Sequence, residues 1–238
     1  MKLSIIVPVF NEEKTILKVL KRLEGVEIPD VEKEIIVVDD GSSDATASTI
    51  NKQQLTNNKT KILHHAKNLG KGAAVRTGIK EASGEYIIIQ DADLEYNPND
   101  IERLLEPIRN GETKVVYGTR LRRLPNLSRD ERTLQFLVHY FGNRALSLLT
   151  SILYGQWITD METGYKLFPK DALAKIRLNS KGFDFEPEIT AKLLKKGYKI
   201  LEIPITTTPR GYDEGKKLNT IRDGSIALWT LFKYRFTD

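Results

Sequence analysis

Glu85-Tyr86-Ile87-Ile88-Ile89-Gln90-Asp91-Ala92-Asp93-Leu94-Glu95 is a short apolar run that ends in three acids. A run of this length, rich in isoleucine, is expected of a strand buried on both faces. Its carboxylates then stand at the strand's carboxyl end. There they repel one another unless cations or hydrogen-bond donors are supplied. A hard divalent ion held by oxygen ligands, and sharing phosphate oxygens with a bound molecule, relieves that repulsion. The plain alternative is a solvated acidic turn that caps the next helix.

The same pattern recurs on both sides of this stretch. Leu3-Ser-Ile-Ile-Val-Pro-Val9 reads as a first buried strand, and Asn11 can cap a helix whose apolar face is Ile16, Leu17, Leu20 and Leu23. Glu34 to Val38 reads as a second strand, ending in Asp39-Asp40-Gly41-Ser42-Ser43. Ser43 or Asp44 can cap the helix that runs on to Gln54. Lys61 to His64 is a weaker third strand, and Gly70 and Gly72 mark a turn into a helix over Ala73 to Ala82. Beyond the acids, Asp100 to Arg109 reads as a helix and Val115 to Tyr117 as a fifth strand. The second half is less regular. Leu134 to Tyr154 is a long helix apolar on most faces, and Tyr165 to Phe168 is a strand. Pro187 to Lys196 is a helix, Lys199 to Thr206 a strand, Pro209 to Lys217 a polar loop, and Leu218 to Phe236 a last helix.

Strands alternating with helices imply βαβ units and right-handed crossovers. The expected fold is therefore α/β, with a Rossmann-like, mostly parallel central sheet flanked by helices and amphipathic helices in the C-terminal half. Ligands bind beyond the carboxyl ends of such strands. That rule sets Pro8 to Glu12, Asp39 to Asp44 and Asp91 to Glu95 along one edge. No repeat or linker interrupts the chain, so residues 1–238 are read as one domain.

Composition narrows the chemistry. The chain has no cysteine, so disulfides and cysteine-bound zinc are excluded, and a metal must be held by oxygen or histidine. The apolar start is too short for a signal peptide. Leu134 to Tyr154 contains His139, Asn143 and Arg144, which argues against a span of about 20 apolar residues. A cytoplasmic protein is expected, either soluble or peripheral on the inner face of the membrane. The net charge is +5, and the excess of Lys and Arg lies in the second half. Such a surface attracts anionic headgroups, phosphates or nucleic acid, or is simply solvated.

Several further residues carry two readings each. Asp39 and Asp40 could accept hydrogen bonds from a base or ribose, while their serine neighbours cap a helix. Asn68-Leu-Gly-Lys-Gly72 lacks the Walker ending, yet Lys71 could touch a phosphate. No Gly-x-Gly-x-x-Gly follows the first strand, which weakens a dehydrogenase reading. Asp160 could act as a general base or position an acceptor, or be an ordinary loop aspartate. Arg120, Arg210, Lys216 and Lys217 suit phosphate contacts, or are solvated surface. His64, His65 and His139 lack metal-ligand spacing and read as structural.

Ile6-Val-Pro-Val-Phe-Asn-Glu-Glu13, Val37-Val-Asp-Asp-Gly-Ser-Ser-Asp44, Asn68-Leu-Gly-Lys-Gly72, Asp91-Ala-Asp-Leu-Glu95, Gly118-Thr-Arg120 and Thr159-Asp-Met-Glu-Thr-Gly-Tyr-Lys166 run in order along the chain. In this it resembles the family 2 inverting glycosyltransferases with a GT-A fold. It is most similar to the branch that includes dolichol-phosphate mannose synthase and the polyprenyl-phosphate sugar transferases. The resemblance implies metal-dependent transfer of a sugar from a nucleoside-diphosphate donor, such as GDP-mannose, UDP-glucose or UDP-N-acetylglucosamine. The implied acceptor is a polyprenyl or dolichyl phosphate, with a saccharide or protein hydroxyl as the alternative and no nucleic acid partner.

It further implies that residues 1–118 bind the nucleotide and 119–238 the acceptor. Pro8, Phe10, Glu12 and Asp39 would border the nucleoside, and Asp40, Lys71 and Ala92 would belong to the donor side. Asp91 would touch ribose or base. Asp93 with Glu95 would hold Mg²⁺ or Mn²⁺, although many members of the branch have glutamine where Glu95 stands. Arg120, Arg210, Lys216 and Lys217 would hold phosphate, and Asp160 falls where hydroxyl-using relatives place a base. A helix at 134–154 or 218–236 would supply any membrane contact, or be simple core packing. A nucleotidyltransferase, expected to have a glycine-rich loop after the first strand, and a non-enzymatic nucleotide-sugar sensor are the other readings.

Overall fold

Alternate residues of the first strand face opposite ways, and the core divides accordingly. Leu3, Ile5, Val7 and Val9 belong to one buried cluster, whereas Ile6 belongs to a second on the other face. The computed structural model describes residues 1–56, 60–121, 133–208 and 220–237. Its elements are β1 (Lys2–Val9), α1 (Ile16–Gly25), β2 (Glu32–Asp39), α2 (Thr46–Thr56), β3 (Thr60–His64), α3 (Lys71–Glu81) and β4 (Tyr86–Ile89). They continue with α4 (Asp100–Arg109), β5 (Val115–Thr119), α5 (Leu134–Tyr154), β6 (Lys166–Pro169), α6 (Phe185–Lys195), β7 (Ile200–Pro204) and α7 (Thr220–Phe236).

The seven strands form one sheet in the order β3-β2-β1-β4-β6-β5-β7. Parallel pairing sets Ile5 beside Ile35 in β2 and beside Ile88 in β4. One face carries α1 and α4, whose Ile16, Leu20, Leu23, Ile101 and Leu104 are fully buried. The other carries α3 and α6 through Ala74, Val75, Phe185 and Ile189. The expected α/β fold with a mostly parallel sheet is therefore the observed one.

The fifth strand in sequence does not lie beside the fourth. β6 is inserted between them and runs antiparallel to both. This brings the segment just before β6, residues 160–165, to the sheet edge where β4 and β5 end. Asn11 does not cap α1 either. It adopts a left-handed backbone (φ 49°) and ties the ends of β1 and β2 together. Its amide donates to Ser42 Oγ at 2.9 Å, and its side-chain oxygen accepts from the Ser43 amide at 2.8 Å. The helix starts five residues later, at Ile16. Asp44 does cap the next helix, accepting from the Thr46 amide at 2.9 Å.

Helix and sheet approach closely at Gly78 of α3, where a Cβ would stand 2.5 Å from Ile6 Cγ2. On helix propensity alone, Gly78→Ala adds about 1 kcal/mol. Overpacking of this seam costs about 1–3 kcal/mol. The net expected result in a urea melt is a loss of stability. A variant more stable than the parent would show that α3 rides freely on β1.

Candidate active site

The carboxyl ends of β1, β2 and β4 border a cleft of about 400 Å³. Pro8, Phe10 and Glu12 reach it from the end of β1. The Glu12 amide donates to Thr46 Oγ1 at 2.8 Å, and its carboxylate accepts from Thr15 Oγ1 at 2.6 Å. Ala92, Asp93 and Glu95 reach it from the end of β4. Leu94 between them sits at φ 66°, a backbone strained for a leucine. The turn it makes keeps both neighbours on the cleft, with the Glu95 amide donating to Asp93 Oδ1 at 3.1 Å.

The two carboxylates at the end of β2 are occupied inside the protein. Asp39 is 3% exposed and is not on the cleft wall. It accepts from the Ser42 amide and from His64 Nδ1, both at 3.1 Å. Asp40 is on the wall, but it accepts from His65 Nδ1 (2.6 Å) and from the amides of Leu69 (2.9 Å) and Gly70 (2.8 Å). It therefore fixes the turn that starts α3. Gly70 is held at φ 97°, and a side chain there would run into the Lys181 carbonyl.

That turn delivers Lys71 into the cleft, where its ammonium lies 2.8 Å from both Asp91 Oδ1 and Glu186 Oε1. Burial works against the charge, but the two carboxylates outweigh it and hold Lys71 well above the usual lysine range. Asp91 and Lys71 thus neutralise each other before any ligand arrives.

Arg120 follows β5 and also lines the cleft. Asp160 lies behind it and is fully buried. Arg120 Nε and Nη2 donate to the two Asp160 oxygens at 2.8 Å each, and the Arg120 amide adds a bond at 2.9 Å. Burial pushes the Asp160 carboxyl up, yet the guanidinium prevails and holds it below the usual carboxylate range. A carboxylate so engaged neither reaches an acceptor nor readily takes its proton. The geometry suits it to fixing Arg120. The nearby turn is clamped by Lys166, whose ammonium donates to the carbonyls of Met161 and Thr163. Tyr96 accepts from the Gly164 amide at 2.7 Å and stacks on Tyr165 at 4.6 Å.

Two charged cleft residues were not singled out by the sequence, Glu162 and Glu186. Burial, and then the Glu186 charge, push the Glu162 carboxyl well above its ordinary value. Glu162 did lie within the Thr159–Lys166 motif. Glu186 lies in the first turn of α6, where nothing local in the sequence marks it. His139 also lines the cleft, whereas His64 and His65 serve Asp39 and Asp40. Arg210, Lys216 and Lys217 lie outside the described residues.

Asp93 and Glu95 offer hard oxygens, the donor type that suits Mg²⁺ or Mn²⁺. Among the described residues no group of three or more side chains stands ready to enclose an ion. An ion here would complete its shell with phosphate oxygens and water, as magnesium does when one or two carboxylates hold it.

Residues 4–177 match the family described as Glycosyl transferase family 2. The chain belongs to that family. An uncharacterised protein of Methanocaldococcus jannaschii is 32% identical over 92% of this chain and 87% of its own length. The glycosyltransferase AglJ of Haloferax volcanii is 28% identical over 96% of this chain and 70% of its own. The undecaprenyl-phosphate mannosyltransferase of Micrococcus luteus is 29% identical over 96% of each. The glucosyl-3-phosphoglycerate synthase of Mycobacterium tuberculosis, solved with Mn²⁺, UDP and glucosyl-3-phosphoglycerate, superposes with a TM-score of 0.72. That match covers 98% of this chain and 79% of the other at 19% identity. The fold is GT-A, and the protein is a glycosyltransferase.

The depressed carboxyl of Asp160 has a consequence for stability. Its contribution is complete above the unfolded carboxylate value of about 4 and is lost as pH falls through the lower folded value. In urea melts at stepped pH, Asp160→Asn should lose about 3–5 kcal/mol at pH 7. It should also lack the part of the acid limb below about pH 4. An acid limb identical in parent and variant would show that Asp160 is not charged in the folded protein.

Proposed function

We propose that this glycosyltransferase moves a hexose from a nucleoside-diphosphate sugar to a polyprenyl phosphate, with inversion at the anomeric carbon. The observation that carries this reading is the Arg120–Asp160 pair. It puts a fixed cation on the cleft and spends the nearest candidate base on holding it. A phosphate acceptor is already anionic and needs positioning more than deprotonation. The Micrococcus luteus relative, similar along nearly its whole length, supports the same acceptor class.

Pro8 and Phe10 give the nucleoside an apolar wall beside Glu12. Asp93 and Glu95 would hold Mg²⁺ or Mn²⁺ against the diphosphate; the Mycobacterium tuberculosis structures with Mn²⁺ or Mg²⁺ and UDP support a divalent ion in general. When bound, the ion neutralises the leaving diphosphate. Asp40 and Asp91 act one step back, the first by shaping the turn before Lys71 and the second by pairing with it. Arg120 aligns an acceptor phosphate oxygen with the anomeric carbon. As that C–O bond forms, the bond to the diphosphate breaks on the opposite side and its electron pair leaves with the nucleoside diphosphate. Arg210, Lys216 and Lys217 are proposed to hold phosphate as well. The donor residues of 1–118 and the acceptor residues of 119–238 thus share one site.

Among the described residues no helix is long and apolar enough to cross a membrane. Phe141 (57%) and Ile152 (71%) of α5, with Trp229 (69%) and Phe236 (79%) of α7, are nonetheless exposed. Aromatic and aliphatic residues spaced along two helix faces suit the headgroup boundary. We place the protein on the inner membrane surface, where a polyprenyl phosphate presents its headgroup. A hydroxyl acceptor is the second reading. Glu162 favours it, because a carboxyl with a raised pKa facing the cleft suits a general base.

The test is transfer from GDP-mannose, UDP-glucose and UDP-N-acetylglucosamine to undecaprenyl phosphate in detergent with Mn²⁺. One donor should give a sugar-phosphate lipid. Asp93→Ala should lower its rate by roughly a hundredfold or more. Transfer to a saccharide hydroxyl with none to the lipid phosphate would sink the acceptor assignment.

A further inference from the structure

Glu186 is 4% exposed. Its Oε1 is taken by Lys71 at 2.8 Å, but its Oε2 is buried without a hydrogen-bond partner. Glu162 is in the same condition, with a buried and unpartnered Oε1. The two come from distant parts of the chain, the turn before β6 and the first turn of α6, and both line the cleft. They are close enough for the charge of Glu186 to raise the Glu162 carboxyl after burial has done so. The fold leaves two carboxyl oxygens on residues of one cleft without hydrogen-bond partners.

We propose that Glu162 and Glu186 form the subsite that reads the hydroxyls of the transferred sugar, and that it admits a neutral hexose and refuses a sugar carboxylate. The proposal rests on the nucleotide-sugar reading above. Glu186, paired with Lys71, can only accept through its stranded oxygen, while Glu162, raised to about 8, keeps a proton near neutral pH and can donate as well as accept. A buried acceptor left unpaired is costly. The occupant must therefore bring O–H or N–H donors. A diphosphate or an acceptor phosphate brings neither, so those parts of the substrates do not fit here. Ring hydroxyls do.

The nearest cations on the cleft already face carboxylates. Lys71 is shared between Asp91 and Glu186, and Arg120 is committed to Asp160. A uronic acid would set a further carboxylate beside Glu186, where burial and the Glu186 charge already disfavour an ionised Glu162. A neutral hexose satisfies both stranded oxygens and adds no charge. The subsite shares one cleft with Asp93, Glu95 and Arg120. The sugar in flight must pass between the diphosphate and the acceptor phosphate.

The experiment is calorimetric titration of the full chain with Mn²⁺, using UDP, GDP, UDP-glucose, UDP-N-acetylglucosamine, GDP-mannose and UDP-glucuronate, together with turnover of the donor it prefers. The parent protein should bind one neutral sugar nucleotide more tightly than the matching nucleoside diphosphate. It should bind the uronate of the preferred nucleotide at least about tenfold more weakly than the neutral sugar. For a guanosine-preferring enzyme that uronate is GDP-mannuronate. Glu162→Ala should erase about ten- to a hundredfold of the sugar's advantage while the nucleoside diphosphate binds as before. Glu186→Gln should act in the same direction, and Glu162→Gln serves if the alanine variant does not fold. Equal weakening of both ligands would reduce the pair to a structural role. A fall in turnover alone would make Glu162 a base. Either result overturns the proposal, as does a uronate bound as well as the neutral sugar. Parent protein that binds none of these nucleotides would overturn the nucleotide-sugar reading itself, a failure distinct from unchanged variants on a binding-competent parent.

Discussion

Arg120 holds its charge on the cleft wall because Asp160 lies directly behind it with both oxygens engaged. Neither partner is tolerable alone at that depth, since an unpaired buried charge costs far more than the pair gains. Asp160 in turn depends on its neighbours. Its amide and that of Thr159 donate to the Glu202 carboxylate of β7 at 2.9 and 2.8 Å. Thr159 also bonds Thr119 at the end of β5, 2.8 Å away. Three strands therefore meet at one ion pair. The insertion of β6 between β4 and β5 makes this possible, because it carries the preceding turn to the sheet edge from which Arg120 projects.

The opposite wall solves the same electrostatic problem with a lysine. Asp91 and Glu186 arrive from a strand end and a helix start, and Lys71 stands between them. The cleft thus consists of two neutralised centres, Lys71 and Arg120, with Asp93, Glu95 and Glu162 arranged around them. Such a site is organised before substrate binds. Fixed charges and dipoles that need not reorganise are worth most where a leaving group acquires charge. Phosphate-to-sugar chemistry asks for little else from side chains when the nucleophile is already an anion.

Strand-end logic read from the sequence found most of one wall. Pro8, Phe10, Glu12, Asp91, Asp93 and Glu95 lie where a parallel sheet must put them, because each follows directly on an apolar run. The helices over 100–109 and 134–154 were legible from periodicity and capping to the residue. What was not legible depends on contacts distant in sequence. Asp39 and Asp40 have the composition of ribose readers, and only His64, His65 and the folded-back 69–70 amides show that both also accept hydrogen bonds within the protein. Asp160 looked like a loop aspartate able to act as a base until Arg120, forty residues away, was seen to claim it. Glu186 carries no local mark, since its meaning comes from Lys71 on another helix. The antiparallel β6 is short and apolar, and its order in the sheet is set by packing rather than by its own residues.

The places where the chain departs from ordinary local rules point to the same region. Of the three non-glycine residues with positive φ among the described residues, Asn11 and Leu94 flank the cleft and Asp30 lies elsewhere. Two of the five buried side-chain atoms without partners among the described residues are the carboxylate oxygens of Glu162 and Glu186. Strain and unsatisfied polarity persist only where the surrounding structure enforces them, and they concentrate where function repays the cost. At Leu94 the strained turn keeps Asp93 and Glu95 together on the cleft wall. At Glu162 and Glu186 the stranded acceptors leave the protein's own hydrogen bonding incomplete until a hydroxyl-bearing ligand enters. The cleft is thus identified by the physics of the apo chain as well as by its family, and the unsatisfied atoms describe the shape and polarity of what is missing from it.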